Sequence, residues 1–284
     1  MALNKKWFEK LYPNFGQYFY VENIIYSNNE LQELIIFENN TFGRILTLDG
    51  IVQTTELDEF IYHEMLTHIP LLSCNNPKNV LIIGGGDGAT LREVSKYRSI
   101  ENITMVEIDE NVVTFCRQYL PKHSANAFMD PRLKLIIDDG INFVNTCNDI
   151  FDIIIVDRTD PIGPGMSLFT TEFYRKCSRC LHKDGIFVAQ NGVALFQNQE
   201  IINSYYNLRQ FFQDVAFYQA SIPSYYGGMM VFSWASHNPQ LRKFNYKLLQ
   251  IKLKNASLYC KYYNSDIHIS SFAIPQYMFK ILSN

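Results

Sequence analysis

The chain has 284 residues, 47% of them hydrophobic, with 25 Lys plus Arg against 28 Asp plus Glu and a formal net charge of −3. That size suits one large globular domain with a modest extra part. The absence of a basic excess argues against nucleic acid as the main partner, and a mildly acidic chain is compatible with cationic substrates. No apolar run approaches the roughly 18–20 residues that span a bilayer, so no membrane partner is expected.

The start, Met1 to Pro13, is mixed and carries Trp7, Glu9 and Tyr12. It lacks the long apolar stretch of a signal peptide, so a cytoplasmic location is expected. Residues Gln17 to Thr55 read as β, with Tyr18–Val21 and Leu34–Phe37 rich in strand formers. Turn signals fall at Ser27–Asn29, Asn39–Asn40 and Leu48–Gly50, which predicts a small antiparallel sheet. Asp58 opens a predicted helix through about Leu72 as its N-cap, and Pro70 is expected to kink it or end it early.

A strand–helix alternation follows. Val80–Ile83, Ile103–Val106, Leu133–Ile137, Asp152–Val156 and Gly185–Ala189 are short apolar runs, with a helix predicted near Asn111–Tyr119. Continuous apolar runs separated by helices indicate buried parallel strands. Val215–Ala220 and Met229–Trp234 are expected to complete the sheet. A helix and a tail through Ile274–Leu282 are expected after Asn238. The six cysteines read as free thiols in a reducing compartment. Cys177 and Cys180 form a C-x-x-C pair, but it lies in a predicted helix with no second pair or clustered histidines, so no metal is expected.

Gly84-Gly85-Gly86-Asp87-Gly88 directly follows the first of these strands and precedes a helix. Glycines there let the backbone turn tightly and approach a ligand. Glu107, about 20 residues on at the next strand end, is placed to accept hydrogen bonds from ribose hydroxyls. Asp138-Asp139-Gly140 ends the third strand, where it would meet an adenine amino group. Gly84, Gly86 and Ala89 formally fit a dinucleotide fingerprint, but Asp87 would repel a pyrophosphate at that helix N-terminus. It would also repel the carboxylate of ordinary S-adenosylmethionine, and it would attract an ammonium. A nucleoside with an amine-ended tail fits best; the bland alternative is that Asp87 only caps the helix.

The fourth strand ends in Asp157-Arg158-Thr159-Asp160-Pro161-Ile162-Gly163-Pro164. Loops at strand C-termini in α/β folds carry function by default, although Asp and Pro are also ordinary turn residues. A primary ammonium with a pKa of about 10.4 must lose a proton before it attacks carbon, at a cost of roughly 4–5 kcal/mol at neutral pH. A positioned carboxylate can take that proton, worth about 10²–10⁴-fold in rate.

The sequence resembles the bacterial spermidine synthases (polyamine aminopropyltransferases) along essentially its whole length. The resemblance is carried by Phe15–Tyr18, Leu48–Glu56, Asp58–Met65, the glycine loop with Asp87, Val106–Asp109, Asp138–Gly140, the Asp157–Pro164 loop and Tyr225–Gly228. It implies an α/β fold: a methyltransferase-like Rossmann domain with a mostly parallel sheet over residues 57–284, preceded by a small antiparallel β domain over residues 1–56. It implies transfer of the aminopropyl group of decarboxylated S-adenosylmethionine to putrescine, with 5′-methylthioadenosine leaving by Sɴ2 displacement. It makes Asp157 the general base. It assigns the nucleoside donor to Gln32, Asp87, Glu107, Asp139, Gly140 and Pro164. It assigns the amine to His63, Asp87, Asp157, Asp160, Tyr62, Gln53 and Tyr225. No cofactor and no metal are implied beyond the nucleoside co-substrate, and a homodimer or homotetramer is. Trp7 is either a hydrophobic wall of the site or simple packing.

Position 158 departs from the family, which usually has a small residue there. An Arg158 turned to solvent would matter little, whereas one folded inward against Asp160 would weaken amine binding. Competing readings are an aminopropyltransferase for another amine such as cadaverine or spermidine, a small-molecule methyltransferase binding full S-adenosylmethionine, and a nucleoside-binding protein without turnover. Gly163, Gly165, Met166 and Ser167 are expected to belong to a lid.

Overall fold

The computed structural model describes residues 5–161 and 163–283. Two small antiparallel sheets come first. Strand β1 (Lys5–Phe8) pairs with β2 (Tyr18–Val21); β3 (Asn23–Asn29), β4 (Glu33–Asn39), β5 (Gly43–Leu48) and β6 (Ile51–Thr55) form a meander in chain order. The β5–β6 hairpin turns on Asp49 and Gly50, with φ of 51° and 79°. Two consecutive left-handed residues are what the tightest hairpin needs, and Asp and Gly tolerate them. Ser27–Asn29 is not a turn as expected. It continues β3, pairing with Glu33–Ile35, and the reversal falls on Glu30–Gln32. Polar side chains there face outward while the backbone stays paired, so turn-like composition misled. β1 went unanticipated because its lysines mask a strand at the protein's edge.

Helix α1 (Glu59–Ser73) is buried on every side from Ile61 onward. Asp58 precedes it but makes no side-chain cap, contrary to expectation. Its carboxylate instead accepts from Thr55 Oγ1 at 2.6 Å and from the backbone N–H of Ser224 at 2.7 Å. A charge so deeply buried is best satisfied by several donors, and here they come from across the molecule. Pro70 sits in the last turn, and the helix continues to Ser73.

The main sheet has seven strands. In chain order it comprises β7 (Asn79–Gly84), α2 (Ala89–Ser95), β8 (Asn102–Glu107), α3 (Glu110–Tyr119), α4 (Pro121–Ser124), β9 (Leu133–Ile137), α5 (Gly140–Thr146), β10 (Phe151–Asp157), α6 (Thr171–Cys180), β11 (Leu181–Val193), α7 (Asn198–Arg209), β12 (Asp214–Ala220) and β13 (Met230–Ser236). Spatially the order is β12-β13-β11-β10-β7-β8-β9. β7 to β11 run parallel; β13 is antiparallel to both β11 and β12. Ile153, Ile154, Ile155 and Val156 of central β10 are 0% exposed. Burying each such side chain contributes about 1.5–3 kcal/mol, which explains the uninterrupted apolar run. β11 extends well beyond the expected Gly185–Ala189 at both ends.

The chain lays β8 and β9 on one side of β7, then crosses back to place β10 on the other. At such a switch point the loops leaving neighbouring strand ends part in opposite directions and open a crevice. A single helix was anticipated after Asn238, yet three form: α8 (Tyr246–Asn255), α9 (Ser265–Ser270) and α10 (Gln276–Ser283). They cover α1 and α7. Lys252 Nζ donates to the last carbonyls of the α1 region, Leu72 and Cys74, both at 2.8 Å. All six cysteines are free thiols, with Cys177 and Cys180 buried on α6. Among the described residues no helix is long and apolar enough to cross a membrane.

Candidate active site

One cleft runs along the carboxyl ends of β7, β8 and β10 and passes beneath the N-terminal strands. Gln32, Gln53, Tyr62, His63, Asp87, Glu107, Asp139, Gly140, Asp157, Asp160 and Tyr225 all line it. The side chain of Pro164 lies outside the described residues.

The strand-end half is built from backbone turns. Gly84 has φ of +81°, and a Cβ there would stand 2.0 Å from the Asp157 carbonyl oxygen. Only glycine permits this approach, which lets the Gly85 N–H donate to that carbonyl at 3.0 Å and fixes the glycine loop against the β10 terminus. Glu107 is buried, and its Oε1 accepts from Asp109 N–H at 3.1 Å. Burial pushes its acid up to about 7 although backbone N–H groups oppose the shift. Gln32 reaches over from the β3–β4 reversal and donates to Asp109 Oδ2 at 3.1 Å. Asp139 caps α5 through the Ile141 N–H at 3.0 Å. A Cβ on Gly140 would lie 2.5 Å from Ile83 Cγ2, so the first turn of α5 can press onto β7 only as glycine.

The centre is a row of alternating charge. The Arg92 guanidinium grips Glu59 with both ends, at 3.1 and 2.9 Å. Glu59 Oε2 accepts from His63 Nδ1 at 2.9 Å, and His63 Nε2 faces Asp87 Oδ2 at 3.5 Å. Burial opposes ionisation of both Glu59 and His63. Even so, the hydrogen bonds and charges of His63 and Arg92 hold Glu59 at about 2, and Asp87, Glu59 and Asp157 lift His63 to about 9. His63 is therefore an imidazolium at neutral pH. Asp87 uses Oδ1 to accept from the Ala89 N–H at 2.9 Å. It thus bonds the first turn of α2 and still presents a carboxylate to the cleft.

Asp157 lies beside Asp87. Tyr62 donates to its Oδ1 at 2.8 Å and Thr90 to its Oδ2 at 2.6 Å. Burial and the neighbouring Asp87 raise its acid, against His63 and the two hydroxyl donors. Ligand atoms of His63, Asp87 and Asp157 all lie within 4.8 Å of one another. Such a group can take a small cation.

The far half is assembled from separate elements. Asp160 Oδ1 accepts from Gln197 Nε2 at 2.6 Å, and burial raises its acid. Tyr225 donates its hydroxyl to the carbonyl of Gln53, and its ring meets that of Tyr62 edge-on at 5.9 Å. Glu9, just after β1, lines the same end. Its Oε1 accepts from Val52 N–H at 2.8 Å and its Oε2 from Gln17 at 2.7 Å, and burial lifts its acid to about 7. Trp7 packs against Phe19 and Phe37, with ring centroids 6.2 and 5.6 Å away, and is packing rather than a wall. Arg158 folds inward, yet among the described residues it makes no ion pair with Asp160; it bonds Gln190, Tyr174, Asn191 and the carbonyl of Leu168 instead.

Sequence reasoning missed Glu9, Thr90 and Gln197. Thr90 sits four residues after Gly86 on the first turn of α2, a position from which a hydroxyl can reach a neighbouring strand end. Glu9 and Gln197 carry no local signal.

Comparison with known proteins gives the family. Residues 59–246 match the family described as spermine/spermidine synthase domain, and residues 6–56 match the spermidine synthase tetramerisation domain. The chain is 60% identical over 285 residues to a polyamine aminopropyltransferase of Erwinia tasmaniensis, covering 100% of both. It is 58% identical to one of Pectobacterium carotovorum, covering 100% of this chain and 99% of the relative. Among solved structures it superposes on a spermidine synthase in complex with the transition-state analogue AdoDATO, with a TM-score of 0.94, 38% identity and coverage of 99% and 96%. It superposes on the spermidine synthase of Thermotoga maritima with a TM-score of 0.91, 36% identity and coverage of 99% and 95%. The chain belongs to the spermine/spermidine synthase family of aminopropyltransferases.

Proposed function

We propose that this enzyme transfers the aminopropyl group of decarboxylated S-adenosylmethionine to putrescine, with Asp157 as the proton acceptor. The observation that carries the reading is the convergence of Asp87, Asp157 and His63, with ligand atoms within 4.8 Å of one another, where the two halves of the cleft meet. The donor's nucleoside rests on the strand-end half, with Glu107 on the ribose, Asp139 and Gly140 at the adenine, and Gln32 closing over it; a contact from Pro164 is part of the same reading, and its side chain lies outside the described residues. Its amine-ended tail points to Asp87. Putrescine lies toward the far half, flanked by Gln53, Tyr62, His63 and Tyr225, with its distal ammonium toward Asp160 and Glu9.

The chemistry follows from charge. The attacking ammonium of putrescine hands a proton to Asp157. Its lone pair then attacks the methylene carbon on the sulfonium, the carbon–sulfur bond breaks, and the pair returns to sulfur as neutral 5′-methylthioadenosine. Burial makes Asp157 more basic than an ordinary carboxylate, which suits it to an amine that must give up a proton of pKa about 10.4. Its bonds to Tyr62 and Thr90 fix its direction. No cofactor enters this scheme, and the nucleoside is a co-substrate.

We also take residues 1–56 as a separate β domain ahead of the catalytic residues 57–284, and the enzyme as a cytoplasmic homodimer or homotetramer. Exposed Phe8, Tyr18, Tyr20 and Ile24 on the N-terminal sheets, 41–62% accessible, support association through that part. The test of the reaction is an end-point assay read by mass spectrometry, with putrescine, cadaverine and spermidine as acceptors. Spermidine plus 5′-methylthioadenosine from putrescine supports the reading. Product only from another amine, or methyl transfer from full S-adenosylmethionine, sinks it.

A further inference from the structure

Arg158 is 5% exposed and, among the described residues, has no carboxylate within ion-pair distance. A buried guanidinium with no carboxylate in direct contact is expensive to keep, so hydrogen bonds must satisfy it, although Glu200 and Asp160 lie near enough to feel its charge. Among the described residues it makes four, all to neutral acceptors. Nε donates to the Gln190 carbonyl at 3.1 Å, one terminal nitrogen to the Leu168 carbonyl, and the other to the Tyr174 hydroxyl at 3.2 Å and Asn191 Oδ1 at 3.5 Å. The guanidinium lies over the Phe169 ring, with Cζ 3.3 Å from its centroid.

These contacts join four elements: the β10 terminus that carries Asp157, the end of β11, the last residues of the 3-10 helix Gly163–Phe169, and α6 through Tyr174. Leu168 is the residue through which this matters. Its carbonyl is held by Arg158, while its side chain lines the cleft and stands 3.2 Å from where a Cβ on Gly140 would be. Leu168 thus forms a wall over Asp139 and Gly140, in the strand-end half.

We propose that Arg158 is a positioning residue that braces Leu168 and Phe169 against the strand ends and so shapes the nucleoside side of the cleft, leaving the amine side to other groups. This rests on the functional reading above for which half takes which substrate. A planar fork with five N–H donors suits the task, because it can reach three elements at fixed angles; the single ammonium of lysine cannot.

The test compares Arg158→Ser, Arg158→Lys and Phe169→Leu with the unaltered enzyme. Calorimetric binding of 5′-methylthioadenosine is the first readout, and KM for donor and for putrescine is the second. Expected are a 5- to 20-fold weaker nucleoside affinity and a matching rise in donor KM for Arg158→Ser, with putrescine KM within about twofold. Arg158→Lys should not restore the affinity, and Phe169→Leu should weaken it in the same direction by a smaller factor. Phe169 is half-buried, so that variant remains informative even if Arg158→Ser fails to fold. Unchanged nucleoside affinity in folded variants, a shift confined to putrescine KM, or full rescue by lysine would overturn the brace. Absence of turnover in the unaltered enzyme would instead count against the functional reading, since nucleoside binding still reports on Arg158.

Discussion

The two halves of the cleft are made in different ways. The strand-end half is mostly backbone: glycines that admit close approach, N–H groups of the first turns of α2 and α5, and acids already engaged with those groups. The far half is mostly side chain, gathered from the segment after β1, β6, α1, the loop after β10, and Tyr225 ahead of β13. In the strand-end half each turn is fixed by its own local hydrogen bonds, Asp87 to Ala89 and Asp139 to Ile141. A half made of distant side chains depends on the whole protein being folded, and can be adjusted one residue at a time.

Substitutions can break or sharpen that contrast. The largest effect is expected where the halves meet: Asp157→Asn should lower kcat by about 10²–10⁴ while donor binding persists. A kcat near normal would remove Asp157 from the role of base. Next is Asp87→Asn. If Asp87 reads the donor's ammonium, decarboxylated S-adenosylmethionine should bind about 10–100-fold more weakly, as for loss of a charged hydrogen bond, while 5′-methylthioadenosine, which lacks the aminopropyl ammonium, should be little affected. Equal losses for both ligands would instead assign Asp87 to the shape of the glycine loop.

Tyr62→Phe should be milder, about fivefold in kcat for one lost hydrogen bond. That bond favours the Asp157 carboxylate. Removing it should move the acid limb of the kcat profile to higher pH, and an unmoved limb would mean that Tyr62 only packs. The smallest effect is expected from Glu9, whose acid burial lifts to about 7. Above that pH it is a carboxylate that attracts a distal ammonium; below it the charge and the attraction are gone. Putrescine KM should therefore rise a few-fold as pH falls through about 7, and Glu9→Gln should flatten the change without altering donor KM. A pH response identical in that variant would place the distal ammonium elsewhere.

The same contrast explains what could be read from sequence. Asp87, Glu107, Asp139 and Asp157 follow apolar runs, and a buried parallel strand places whatever follows it at the sheet's carboxyl edge. Their position therefore needed only local pattern. Glu9 lies in a run of lysines and aromatics that reads as a solvated edge, and only the pairing of β1 with β2 and the contact with Val52 bury it. Gln197 acts by bridging Asp160 and the Val193 N–H, a relation set by the end of β11. Asp58 shows the opposite failure. Its position before a helix suggests a cap, but donors from Thr55 and Ser224 outcompete the first turn of α1. Tertiary partners decide which hydrogen bonds a buried acid makes, and they are invisible in a local window.

The hydroxyl of Tyr225 fastened to the carbonyl of Gln53 is a seam between the catalytic sheet and the N-terminal strands. Whatever sits at that seam is framed by two pieces of chain that can vary independently of the glycine loop and the strand ends. Descendants of such a protein can therefore change which acceptor they accommodate by drifting at the seam, while the strand-end half of the cleft is inherited intact.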